Sequence, residues 1–152
     1  MRIESKLAEL GIELPETPRP MANYVPAVTT GNLVFISGHG PNRPDGTFIT
    51  GKLGRDLTVE EGYEAARVTM LNCLSTLKSE IGDLDRVRRI VKVLGMVNCT
   101  EDFTDPPAVI NGGSDLLVAV FGDAGRHARS AVGMQALPRG IAVEIEMVVE
   151  ID

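Results

Sequence analysis

The sequence predicts an α+β fold in which two long helices cover one face of a mixed β-sheet. Three observations carry that expectation. β-rich runs stand at the start, middle and end of the chain, and two long segments between them carry apolar residues at helical spacing. Neither a repeat nor a linker divides the 152 residues. The chain therefore reads as one domain, 1–152, with residues 1–22 forming an N-terminal helix and an extended arm. A domain of this length buries about two thirds of the surface its unfolded chain exposes, enough for a real core.

The elements follow in order. Ile3, Leu7 and Leu10 fall on one helical face, and Gly11 with the Pro15, Pro18 and Pro20 run ends that helix. Tyr24–Thr30 and Leu33–Ser37 are β-rich and joined by Gly31-Asn32, a good hairpin signal. Residues 38–46 are too rich in glycine and proline for regular structure, and a short third strand is expected at Thr47–Thr50. From Val59 to Ile81 runs the strongest helix. Thr58 and Glu61 form a capping box at its start, and Gly82 stands where a helix C′ residue belongs. Tyr63, Ala66, Met70, Cys73, Leu74, Leu77 and Ile81 make its apolar stripe, so Cys73 reads as a small core residue.

Arg86–Asn98 is β-rich and is expected at the centre of the sheet. A second covering helix starts at Pro106-Pro107 with Asp105 as its cap and buries Val109, Ile110, Leu116, Leu117, Val120 and Phe121. Gly112-Gly113 interrupts it at a cost of about 1 kcal/mol per glycine, which points to a close backbone approach. Two strands close the chain, Ala128–Leu137 and Ile141–Ile151, and Pro138-Arg139-Gly140 is expected to turn one back on the other.

Composition excludes several function classes. With 43% apolar and 24% charged residues and a mean hydropathy near zero, the chain is neither disordered nor low in complexity. No run of about 18 apolar residues exists to span a membrane. The first residues, MRIESKLAELGIELP, lack an unbroken apolar stretch and do not read as a secretory signal. Two cysteines, Cys73 and Cys99, cannot make a disulfide framework, so a reducing, cytoplasmic setting is the expectation. A net charge of −6 argues against nucleic acid as a partner. Arg86, Arg88, Arg89 and Lys92 form the one basic cluster, and the flank of a strand explains it more simply.

No metal or organic cofactor is expected. His39 and His127 lack metalloprotease spacing, and no phosphate-binding glycine signature or GxSxG elbow is present. What remains is Arg129-Ser130 on one strand and Glu144 on the next. An arginine can hold a carboxylate through two parallel hydrogen bonds, and a carboxylate can activate water. If the last two strands formed a hairpin, Arg129 would lie opposite about Val148–Glu150, leaving roughly 15 Å between it and Glu144. Composition alone favours the plainer reading, with Arg129 in a surface ion pair and Glu144 on a solvated face.

A resemblance changes that balance. From about Tyr24 to Asp152 the chain resembles the RidA/YjgF family (reactive intermediate deaminase A). Tyr24 spaced to Ser37-Gly38, the Gly31-Asn32 turn, Asn111 and the stretch ARSAVGMQALPRGIAVEIE carry the likeness, and the last is the specific part. The resemblance implies a chorismate-mutase-like fold, a homotrimer with clefts between subunits, and cofactor-free hydrolysis of reactive imines and enamines to 2-keto acids and ammonia. It also implies that Arg129 clamps the substrate carboxylate and Glu144 positions the attacking water. Tyr24, Ser37, Gly38 and Asn111 would line the cleft. The chain departs from the family pattern at two positions: Ala131 replaces a usual cysteine, and His39 a usual glutamine. His39 is a candidate proton donor, although a structural loop histidine is the plainer reading. The alternative to an enzyme is a trimeric module that binds small carboxylate metabolites without turning them over.

Overall fold

Local signals at the ends of the longest helix are realised atom for atom. The structure, a computed structural model, describes residues 2–17 and 22–152. In α2 (Val59–Ile81), Thr58 Oγ1 accepts from the Glu61 backbone N–H at 3.2 Å, while Glu61 accepts from the Thr58 N–H at 3.0 Å. Those two bonds satisfy donors that a helix start leaves unpaired. At the other end Gly82, with φ +84°, adopts the left-handed turn that favours glycine. α1 (Arg2–Glu9) is shorter, and the Asp85 carboxylate accepts from the backbone N–H groups of Arg2 and Ile3 at 2.7 Å each. Ile3 and Leu7 are buried as expected; Pro18 and Pro20 lie outside the described residues.

α3 (Pro106–Phe121) begins at the expected prolines, but the Asp105 side chain makes no capping bond. Pro107 at the second helical position has no N–H and Ala108 N–H donates to the Asp105 carbonyl at 3.2 Å, so the donors a side-chain cap would serve are absent or taken. The glycine pair answers to α2: a Cβ at Gly112 would collide with the Tyr63 carbonyl, and one at Gly113 would lie 3.2 Å from the Met70 side chain. Close helix packing, rather than a ligand, explains Gly112.

Five strands form one sheet in the order β1-β2-β5-β3-β4. β1 (Ala27–Thr30) and β2 (Leu33–His39) make the Gly31-Asn32 hairpin. β3 (Val87–Asn98) pairs in parallel with β4 (Ala128–Met134), the two joined by α3. β5 (Val143–Ile151) lies between β2 and β3, antiparallel to both. The expected third strand is absent: Phe48 and Thr50 make only isolated bridges to Asn42 and Ile141.

Two further expectations are corrected. β5, not β3, is the central strand, and β4 and β5 form no hairpin. The chain from 138 to 142 instead runs beside residues 49–51, with Gly51 N–H donating to Gly140 at 2.9 Å and Ala142 N–H to Ile49 at 3.0 Å. Side-chain character explains the order. β5 carries Val143, Ile145, Met147, Val149 and Ile151 on one face, an unbroken apolar row that suits a central strand, and Glu144, Glu146, Val148 and Glu150 on the other. β4 carries Ala128, Ser130 and Gly133 and sits at the edge.

The core lies between the sheet and α2 and α3. Val34, Ile36, Val93, Ile145, Met147 and Val149 meet Met70, Leu74, Leu77, Ile110 and Leu117 there. Cys73 belongs to this core as expected, and burial pushes its thiol pKa up. Among the described residues, no helix is long and apolar enough to cross a membrane.

Candidate active site

A cleft of about 230 Å³ opens where β2 ends and β5 begins. Tyr24, Ser37, Gly38, His39 and Glu144, five of the seven sequence candidates, line it together with Asn72, Phe48 and Arg139. Gly38 and Glu144 belong together for a steric reason: a Cβ at position 38 would collide with the Glu144 carboxylate. The β2–β5 register shifts between Ile36 and His39, a bulge that turns the Gly38 backbone toward that carboxylate. Glu144 is partly buried, and its pKa is raised, chiefly by desolvation and further by the neighbouring Glu146 charge.

His39 is held on both sides. Nδ1 lies 2.6 Å from the Ser37 carbonyl and Nε2 lies 2.8 Å from Thr76 Oγ1. A carbonyl only accepts, so Nδ1 carries the proton and Nε2 accepts from the threonine. Burial lowers the His39 pKa, keeping the ring neutral. Asn72 from α2 ties the adjacent loop down, donating to the Gly40 carbonyl at 3.0 Å and to Asn42 at 3.1 Å. At the mouth, Arg139 has φ +60°, a left-handed conformation unusual for arginine, and its guanidinium stands 5.2 Å from the centre of the Phe48 ring.

The other two candidates lie elsewhere. Arg129 Nη1 donates to Asn111 Oδ1 at 2.8 Å and to Ser114 Oγ at 3.1 Å, so Arg129 and Asn111 meet at the β4 edge beside α3. Val93 stands opposite both Arg129 and Met147, and residues in register share a face. Arg129 thus projects on the helix-covered side, whereas Glu144, three residues from Met147, projects on the open side. One strand lies between theirs. With two strand spacings and three residues of offset, they stand roughly 14 Å apart. The 15 Å expectation is close in magnitude, yet it rested on a hairpin that does not form. Within one chain the candidate residues therefore form two separate groups.

Sequence reasoning missed four supporting side chains: Asn72 and Thr76 beneath the cleft, and Ser114 and His127 behind Arg129. A signal existed for the last pair. Ser114 lies three residues after Asn111 on α3, and His127 lies two residues before Arg129. Among the described residues, no cluster of histidine, cysteine and carboxylate side chains could hold a metal ion.

The family model described as "YjgF/chorismate_mutase-like, putative endoribonuclease" matches residues 4–149. The chain belongs to this YjgF family. Protein TCP17 of Trypanosoma cruzi is 45% identical over 152 residues, 99% of this chain and 95% of that protein. A protein of Dermatophagoides farinae named 2-iminobutanoate/2-iminopropanoate deaminase is 27% identical, with 93% of this chain and 95% of that protein covered. Among solved structures, protein Atu1372 of Agrobacterium tumefaciens superposes with a TM-score of 0.91 at 43% identity, covering 99% of this chain and 94% of that one. The YjgF fold of this chain is therefore the chorismate-mutase-like mixed sheet that the resemblance implied.

Proposed function

We propose that this YjgF-family chain is a cofactor-free hydrolase that converts reactive 2-imino acids and their enamine tautomers to 2-keto acids and ammonia. The observation that carries the reading is Glu144: a carboxylate packed on the Gly38 backbone in a cleft, its proton affinity raised by burial. Such a group can take a proton from water and return it. The active unit is a homotrimer, in which Arg129 and Asn111 of one copy complete the cleft holding Tyr24, Ser37, Gly38 and Glu144 of the next. The open sheet face, with Phe35, Val28 and Val132 well exposed, supports self-association. The deaminase name of the mite relative supports the chemistry.

In the proposed reaction an enamine such as 2-aminoacrylate first tautomerises to 2-iminopropanoate. Arg129 holds the carboxylate through paired hydrogen bonds. Glu144 accepts a proton from water as the water oxygen bonds to C2 and the C=N electron pair moves to nitrogen. Glu144 returns that proton to the nitrogen, giving a neutral carbinolamine, and then carries the hydroxyl proton to the same nitrogen as the oxygen electron pair forms the carbonyl and the C–N bond breaks. One water is consumed, and one ammonia and one keto acid leave. The net charge of −6 disfavours the ribonuclease activity named for the family model.

The test couples the protein to a pyridoxal-phosphate dehydratase and follows keto-acid appearance. Arg129→Ala is expected to lower kcat/KM about 30-fold to several-thousand-fold, the loss of a charge-assisted paired contact of about 2–5 kcal/mol. Arg129→Lys should recover little, because an ammonium lacks the planar fork. Wild-type rates in both variants would overturn the assignment. Ala131 favours the second reading, a module that binds carboxylate metabolites only. Keto-acid binding by a wild type that never accelerates imine loss would establish that reading instead.

A further inference from the structure

An arginine that clamps a substrate must itself be held, because its long free side chain samples many rotamers. On β4, Arg129 Nη1 donates to Ser114 Oγ at 3.1 Å, and Ser114 Oγ lies 2.9 Å from His127 Nε2. His127 Nδ1 lies 2.7 Å from the Gly125 carbonyl. The two ends fix the direction of every bond. A carbonyl can only accept, so a neutral His127 ring carries its one proton on Nδ1 and leaves Nε2 as an acceptor. A guanidinium can only donate, so one lone pair of Ser114 is taken and its hydroxyl proton goes to His127.

The chain of bonds is anchored in backbone. Gly125 is buried, and a Cβ there would collide with the Leu117 carbonyl near the end of α3. Its carbonyl is therefore a fixed point, and the imidazole converts that point into an oriented serine. Asn111 supplies the second hold on Nη1, at 2.8 Å. Both holds fall on the same nitrogen, which leaves the Nε and Nη2 edge for a planar carboxylate.

We infer that Ser114 and His127 are positioning residues that orient the Arg129 guanidinium for a substrate carboxylate. The inference rests on the hydrolase reading above and adds two side chains to its site. Neither touches the substrate, so losing either should loosen substrate binding rather than slow the chemical step.

The experiment compares Ser114→Ala, His127→Leu and His127→Gln with wild type and Arg129→Ala, in the dehydratase-coupled assay and in calorimetric titration with 2-oxobutanoate. Ser114→Ala and His127→Leu should raise KM and the keto-acid Kd about tenfold, one hydrogen bond's worth of orientation, with kcat within twofold. In His127→Gln the amide oxygen can accept the Ser114 proton, so both constants should return to within about threefold of wild type. Melting temperatures of all three should stay near wild type, which separates orientation from folding. If Arg129→Ala abolishes binding while Ser114→Ala and His127→Leu match wild type, the positioning role is overturned and the hydrolase reading stands. Glutamine behaving as leucine does would overturn the role equally. If Arg129→Ala binds and deaminates normally, the hydrolase reading itself falls, and the positioning role with it.

Discussion

The two faces of the sheet both carry apolar side chains but differ in exposure, and only the open one mixes them with the glutamates of β5. Toward α2 and α3, Val34, Val93, Ile145 and Val149 are fully buried. On the open side of the same sheet, Phe35, Val28 and Val132 are 46, 51 and 39% exposed. β2 shows this within consecutive residues: Val34 and Ile36 are buried, and Phe35 between them is not. A fully solvated face would be expected to be polar, with apolar residues confined to the covered one. This one keeps Phe35, Val148 and Val28 in a row across three strands, where Phe35 pairs with both neighbours. Such an apolar row supports the proposed self-association, in which a second copy would supply the burial.

The sharpest way to break the comparison is to charge that row. Phe35→Asp should convert the assembly to a monomer, because an unpaired carboxylate buried in an apolar interface is strongly unfavourable. Activity should go with it, since Arg129 and Glu144 face opposite sides of one chain's sheet. The α2–α3 face should be untouched, leaving a folded monomer. Light scattering and circular dichroism read both. An unchanged trimer would mean that this face is not the interface.

The helix-covered face should respond in the opposite way, through folding rather than assembly. Gly112→Ala places a methyl group against the Tyr63 carbonyl, which is backbone and cannot turn aside. The helices must part, at about 2 kcal/mol, which is about 4–8 °C in melting temperature for a domain of this size. Oligomeric state should persist below the transition. A melting temperature equal to wild type would show that the packing relaxes freely.

The same division explains what was legible in the sequence. α2, its capping box and its Gly82 stop are local, and one turn of chain contains all the information they need. The Gly31-Asn32 hairpin is local too. Insertion of β5 between β2 and β3 is not local. Pro138-Arg139-Gly140 announces a turn, but which segment the chain meets afterwards depends on residues 49–51, almost ninety positions earlier. The candidate site follows the same rule. The family resemblance singled out Arg129 and Glu144, where residue types alone favoured an ion pair and a solvated face, and only the register placed them on opposite faces. The His127–Ser114 support went unseen because it joins a strand to a helix through side chains alone.

The smallest expected effect concerns the cleft floor, where the two faces meet at His39. Burial lowers its pKa from the ordinary 6.5, with the Ser37 carbonyl opposing in part. In the unfolded chain His39 regains its ordinary value, so between that value and the lowered one the unfolded state binds a proton that the native state refuses. Stability then falls as pH drops through this window and is fully present above it. Protonation would also turn Nε2 into a donor facing the Thr76 hydroxyl at 2.8 Å, ending the bond that now runs from threonine to histidine. His39→Gln removes the titration and keeps a polar side chain that can both donate and accept hydrogen bonds. Urea melts of both proteins from pH 7.5 to 5 isolate the effect, because every other titrating group, including Glu144 with its opposite sign, is common to both. Wild type should lose stability relative to His39→Gln as the pH falls. Parallel curves would mean that the imidazole titrates as freely in the fold as in the unfolded chain.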